Sequence, residues 1–388
     1  MSTIITLGIE NLEIEWAKSS YYINHSKLFQ KDDIQDVPYY YTDNEVVMRK
    51  GFCANLKRVK DRLELLGYSL NNCKHLFDSI KEIGEVDEQI SFDDVLQLVK
   101  KFNLEKISRN YYQEEYDFGE FGKYVMENEP EFSELSEYTG YNYYFLENLD
   151  TYLILRMFLE KEDNLKYNLI WRYWGNINDG VNTEENIYDE ISQNEKYLIV
   201  TEGSSDSFVL KKSLEILRPH IRDFFTFVDM KEHYPFTGTG NLYRFIEGLV
   251  SIGIINKVIV LFDNDAGGLE KYELAIKLNI PSNMKIIKLP NLNDCEKFKC
   301  IGPSGETFEN INCKAVSIEH FLDLNFKQIS EPMVRWTNFN EVTKTYHGNL
   351  IDKERYIKLF ASVKPTDTYD YSKLNLLLDE IYNACIRI

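Results

Sequence analysis

The chain has 388 residues, with 44 Lys and Arg against 63 Asp and Glu, a net charge of −19 and six cysteines. That length exceeds what one hydrophobic core usually serves, so two domains and a C-terminal extension are expected. The acidity excludes a broad grip on duplex nucleic acid, which draws on Lys and Arg displacing counterions, and no stretch approaches the roughly twenty apolar residues of a membrane-spanning helix.

The opening Met1-Ser2-Thr3-Ile4-Ile5-Thr6 lacks a basic region followed by a long apolar block, so a cytoplasmic location, no membrane contact and reduced cysteines are expected. Residues 1 to about 45 read as irregular with short extended pieces, Ile4 to Gly8 and the aromatic run Tyr39-Tyr40-Tyr41 among them. From Val46 the pattern turns helical. Lys57 to Gly67 ends in a glycine suited to a helix C-cap, and Ser91 to Lys100 opens on a capping serine. The acidic run from Glu114 to Asp150 reads as a solvated face, with a docking surface or a nucleic-acid mimic as its functional alternatives. Residues 142–175 form another apolar helical stretch, and aromatics at helical spacing belong to a core rather than to a base-stacking platform. Residues 1–175 are thus expected to be a helix-rich domain. The polar stretch from Asn176 to Glu195 then serves as a linker.

Beyond it, alternation of short β-branched runs with helical patterns predicts a largely parallel sheet flanked by helices, over 196–323. Strands are expected at 197–201, 223–228, 257–262 and 284–289, with helices at 206–218, 240–253 and 267–279. Residues 324–388 are expected to be a helical extension closed by an amphipathic helix from Tyr371 to Tyr382. Tyr197-Leu-Ile-Val-Thr-Glu202-Gly203-Ser-Ser-Asp206 and Val258-Ile-Val-Leu-Phe-Asp263-Asn-Asp265-Ala-Gly-Gly268 each end a buried strand in carboxylates, at the edge where open α/β sheets bind ligands. Crowded carboxylates call for a hard cation, Mg²⁺ or Mn²⁺, which can activate water and stabilise a leaving oxygen. Gly203 and Gly268 suit a close approach of the backbone to a metal, a phosphate or a helix. An Asp after a strand also serves as a plain helix N-cap, and Asp265 fits a turn. Cys295, Cys300, Cys313 and His320 lack the Cys-x-x-Cys knuckle of a zinc site, and solvated or packed thiols are the better reading. Lys211, Lys212, Lys285, Lys288, Lys297 and Lys299 are the local basic candidates. No phosphate-binding Gly-x-x-x-x-Gly-Lys loop occurs, so any ATP dependence would come from a separate chain.

The pairing of Glu-Gly-x-x-Asp with Asp-x-Asp-x-x-Gly resembles the Toprim domain of topoisomerases, primases and nucleases of the overcoming-lysogenization-defect class. The resemblance implies a Rossmann-like α/β fold, with Glu202 as general acid/base or metal ligand and Asp263 and Asp265 as ligands. It also implies a second acidic position at Asp206, one helical turn after Glu202, and a late carboxylate at Glu319. Lys288 would be a cation near the scissile phosphate. Leu7-Gly-Ile-Glu10 and Arg62-Leu-Glu-Leu-Leu-Gly-Tyr-Ser69 resemble the N-terminal module of bacterial HEPN/Toprim-associated proteins, several of them from anti-phage defence loci. The stretches 227–242 and Gly302-Pro-Ser-Gly305 are similar to the same group. The Arg and His pair of HEPN ribonucleases is not found, so the N-terminal half is expected to sense, dock or oligomerise. The resemblance thus implies a metal-dependent nuclease of DNA or RNA, with a protein partner or trigger; the alternative is a non-catalytic regulatory or scaffold protein. A topoisomerase lacks room for its strand-passage gate here, and a primase its zinc module.

Overall fold

The computed structural model describes residues 4–18, 22–40, 46–82, 90–107, 121, 128, 149–178, 180, 182–228, 238–327, 330–342 and 344–388. Two compact units, Met1–Glu190 and Ile191–Ile388, divide the chain. Most of the acidic run from Glu114, the first part of the helical stretch expected from 142, and residues 229–237 lie outside the described residues.

The N-terminal unit is built on an antiparallel sheet, which corrects the helix-rich expectation for 1–175. Its strands β1 (Ile4–Ile9), β2 (Leu12–Lys18), β3 (Ile34–Tyr40), β4 (Val46–Asn55) and β5 (Asn168–Arg172) take the order β2-β1-β5-β4-β3. The pieces before residue 45 are three full strands, and Val46–Asn55, expected to be helical, is a strand of 10 residues. Its β-branched Val46 and Val47 favour the pleat, but its first half is largely solvent-facing, so no regular alternation marks it. β5 hides within the apolar stretch 142–175 for the opposite reason. It is the central strand, with Leu169 and Trp171 in the main core and Ile170 packed with Val37 and Tyr39 on the other face. A strand covered on both faces shows a continuous apolar run and no period of two.

Helices α1 (Leu56–Leu65), α2 (Leu70–Glu82), α3 (Phe92–Lys101) and α4 (Thr151–Phe158) contribute to that core. Their ends follow the sequence: Asn55 caps α1, Gly67 after it sits at φ +107°, and Ser91 and Asp94 form a reciprocal capping box on α3. The aromatics are core. Phe52 stacks on Trp171 at 5.4 Å between centroids, with Phe29 and Tyr173 also against it. A short helix α5 (Trp174–Asn178) follows β5, Ile187 is fully buried in the same core, and the Asp189 N–H donates to Ser26 Oγ at 2.9 Å.

The C-terminal unit contains the expected parallel sheet. Strands β6 (Tyr197–Val200), β7 (Phe225–Phe227), β8 (Lys257–Phe262) and, after the two-residue β9 (Asn264–Asp265), β10 (Met284–Lys288) take the order β10-β8-β6-β7, all parallel. Helices α6 (Ser204–Leu217), α7 (Thr239–Ser251) and α8 (Ala266–Ala275) connect them, and Val258, Val260 and Phe262 are fully buried beneath Leu242 and Ile246. A second sheet of β11 (Phe298–Gly302), β12 (Gly305–Glu309), β14 (Val334–Asn340) and β15 (Thr345–Leu350) has the order β12-β11-β14-β15, while β13 (Ala315–Val316) pairs with β9. The helical expectation after Glu331-Pro332 is therefore corrected. An antiparallel hairpin, β14 and β15, precedes helices α9 (Lys353–Ala361) and α10 (Ser372–Cys385). Its outward-facing Phe339 and Tyr346 obscure the alternation that would have marked two strands.

Candidate carboxylate site

β6 and β8 lie side by side, yet the chain leaves β6 toward β7 and β8 toward β10, on opposite sides of the sheet. A crevice opens at the C-terminal ends of strands where the winding reverses in this way. Glu202 follows β6 and Asp263 follows β8, and they meet there: the Asp263 N–H donates to Glu202 Oε1 at 3.0 Å. The Glu202 carbonyl accepts from the N–H of Gly238, which caps α7 at φ +84°.

Asp206 occupies the first turn of α6, whose N-cap is Gly203, so Glu202 precedes the helix rather than sharing its face. Asp206 Oδ2 accepts the Gly203 N–H at 2.9 Å, and Oδ1 accepts from Ser205 Oγ at 3.3 Å. Burial and then the nearby Asp265 and Asp206 charges push the Glu202 carboxyl up to about 8, against the pull of the Asp263 N–H. Burial and then Glu319 push Asp206 up to about 7, partly offset by Gly203, Ser205 and Lys353. Asp263 is driven well above the carboxylate range by burial and then by Asp206, Glu202, Asp265 and Glu319. The five acidic positions singled out in the sequence thus share one electrostatic neighbourhood.

Asp265 caps α8, its Oδ1 accepting the Gly268 N–H at 2.7 Å, so the plain capping role is realised whatever else this carboxylate does. A side chain at Gly268 would place its Cβ 2.3 Å from the Asp263 carbonyl oxygen, whereas at Gly203 the nearest atom would be 3.6 Å away. Only Gly268 is needed for close approach, and what it approaches is the backbone of Asp263. Glu319 is 2 % exposed, in a 3₁₀ turn, and accepts from Ser317 Oγ at 2.6 Å. Lys288 donates to Asn264 Oδ1 at 3.1 Å. Burial holds His320 down at about 3 and raises the thiols of Cys295 to about 12 and Cys300 to about 11.

Sequence reasoning missed three groups. Asn264, fully buried between the two aspartates, bridges Lys288 and Asn291. His347 of β15 brings Nδ1 to 3.6 Å from Asp265 Oδ2, across about eighty residues of sequence, a pairing no local pattern encodes. Arg244 and Lys271, with Gly238, Thr239, Gly240 and Asn241 at the start of α7, line a cavity of about 480 Å³. Their helical spacing gave no sign of a shared cavity, since they lie on different helices.

The donors fit a hard divalent cation in kind, being all carboxylate oxygen, with Glu202, Asp206 and Asp263 raised by burial and then by neighbouring carboxylates. Among the described residues, however, no three His, Cys, Asp or Glu side chains converge closely enough to hold a metal ion as they stand. Their oxygens are engaged on the backbone N–H groups of Gly203, Asp263 and Gly268 and on the Ser317 hydroxyl. A cation would have to draw the carboxylates closer together, while those hydrogen bonds could stay, since ligating carboxylates also accept hydrogen bonds.

No helix among the described residues is long and apolar enough to cross a membrane. No curated protein and no solved structure matches the chain. A family model described as HEPN/Toprim N-terminal domain 1 matches residues 1–195, the segment that carries Leu7-Gly-Ile-Glu10 and Arg62 to Ser69. Strand-rich architecture and all, the chain belongs to the HEPN/Toprim N-terminal domain 1 family.

Proposed function

We propose that the protein is a Mg²⁺- or Mn²⁺-dependent nuclease acting through a Toprim-type site in residues 196–323, in the setting of bacterial anti-phage defence. The observation that carries the reading is the contact between Glu202 and Asp263 at the sheet's reversal point, with Asp206, Asp265 and Glu319 close enough to perturb them. A divalent ion held by Asp263, Asp265 and Glu202, with Asp206 and Glu319 in support, would supply an activated water and neutralise charge on the phosphate. Glu202, raised to about 8 without a metal, holds its proton at neutral pH, so a bound cation would be what frees it to accept one from the attacking water. Lys288, steadied by Asn264, offsets charge that builds on the phosphate. The N-terminal unit would then sense, dock a partner such as a separate ATPase, or oligomerise.

The test is incubation of the full chain with Mg²⁺ or Mn²⁺ and plasmid, linear and single-stranded DNA and transfer RNA, beside Glu202→Ala and Asp263→Ala. Cleavage of one class, lost in both variants, is the expected result; full activity in Asp263→Ala would sink the assignment. A second reading, a regulatory or scaffold protein without turnover, draws on the carboxylates not converging as they stand. It predicts no cleavage in any arm of that panel.

A further inference from the structure

The hairpin of β14 and β15 carries an aromatic surface that the proposed chemistry leaves unused. Phe339 and Tyr346 are directly paired across the strands, their centroids 5.3 Å apart at 75°, and they are 43 % and 56 % exposed. Trp336 lies 6.3 Å from Tyr346. Its ring rests over Gly348 and Gly302, where an added Cβ would come within 2.8 Å and 3.3 Å of it, and its Nε1 donates to Glu309 at 3.3 Å. Trp336 is therefore a fixed floor, with Phe339 and Tyr346 standing beside it in solvent. Aromatics exposed together offer flat apolar faces on which a flat partner can stack.

Two contacts join this surface to the carboxylates. Asn340, next to Phe339, donates to Glu270 of α8 at 3.2 Å, and α8 is the helix that Asp265 caps. His347, next to Tyr346, reaches Asp265. Neighbouring residues of a strand project to opposite faces, and β15 is the edge strand of its sheet. Tyr346 thus stands on one face of β15, and His347, with Asp265, on the other. The hairpin carries Arg335, Lys344 and Glu341, a net charge of +1, with Lys344 paired to Glu341 at 2.9 Å.

We propose that the Trp336, Phe339 and Tyr346 surface stacks unpaired bases of the substrate, so that the carboxylate site is fed by single-stranded rather than duplex nucleic acid. This rests on the nuclease reading and specifies its substrate. Base–aromatic stacking tolerates any sequence and needs little phosphate contact, which suits a chain of net charge −19. Duplex bases are already stacked on one another and present no free faces to these rings.

The experiment measures binding of the full chain in EDTA to a labelled 12-nucleotide single-stranded DNA, the same sequence as RNA, and the DNA duplex. Because EDTA removes cleavage, failure of the nuclease reading does not decide this result, and failure of this inference leaves the cleavage panel intact. Expected are tighter binding of at least one single strand than of the duplex, and a loss of about tenfold or more in Phe339→Ala/Tyr346→Ala, the scale of one stacked base. Tyr346→Phe should retain binding, since the ring face is what is used. The exposed double variant should keep the wild-type thermal midpoint, which separates lost stacking from misfolding. Equal affinity for duplex, or unchanged single-strand binding by the double variant, would overturn the inference.

Discussion

Asp206 offers the sharpest test of the electrostatics. Its carboxyl is raised from 3.8 to about 7, chiefly by burial and then by Glu319, so the folded protein holds a proton there that the unfolded chain releases. The sign follows: stability from this group is lost as pH rises from about 4 through about 7, the reverse of a salt-bridged aspartate. At about 1.4 kcal/mol per pKa unit, Asp206 costs at most about 4 kcal/mol at pH 8, where it ionises in the folded state, and about 2 kcal/mol at pH 5, where folding must hold its proton. Asp206→Asn keeps an oxygen for the Gly203 N–H and removes the charge. In EDTA, its urea midpoint should therefore exceed the wild type's at both pH values, and by more at pH 8. Adding Mg²⁺ at pH 8 should stabilise the wild type and do much less for the variant. A variant less stable than wild type, or a gain independent of pH, would show that Asp206 is not a charge held against its environment.

Gly268→Ala forces a Cβ to within 2.3 Å of the Asp263 carbonyl oxygen, so it should lower the thermal midpoint and any metal-dependent cleavage together. Gly203→Ala should lower the midpoint far less, because the backbone there is extended and no atom lies closer than 3.6 Å to the new Cβ, leaving only the preference of a helix N-cap for Gly over Ala. In the N-terminal unit, Arg156 is 4 % exposed, pairs with Glu64 at 2.6 Å and also meets Glu160. Arg156→Met takes the guanidinium from buried Glu64, while Glu160 keeps Lys60 at 3.5 Å, and should cost about 3 kcal/mol by urea denaturation, with Arg156→Met/Glu64→Leu recovering part of it.

The parallel sheet was legible because each of its strands is a short β-branched run bounded by turn residues, and the observed strands fall within a residue or two of the expected 197–201, 223–228, 257–262 and 284–289. The carboxylates were legible for a related reason: position at a strand's end is itself a local property. Glu202 and Asp263 needed only adjacent strands to meet. His347 needed a second sheet docked beside α8, which no local pattern announces. The N-terminal sheet hid behind its own topology. β4 is half exposed and β5 fully covered, and each departs from the alternation by which strands are recognised.

That sheet also constrains the order in which the chain can fold. β5, at residues 168–172, inserts between β1 and β4, strands complete by residue 55. Until the ribosome has released it, β1 and β4 each present an open edge to any passing strand. Closing a sheet through its middle over so long a loop is slow, and the helices α1 and α4 must wait for the platform on which they pack. A fragment cut between α3 and β5 would keep every strand but the one that joins the two halves, and should be found in aggregates or in the grip of a chaperone.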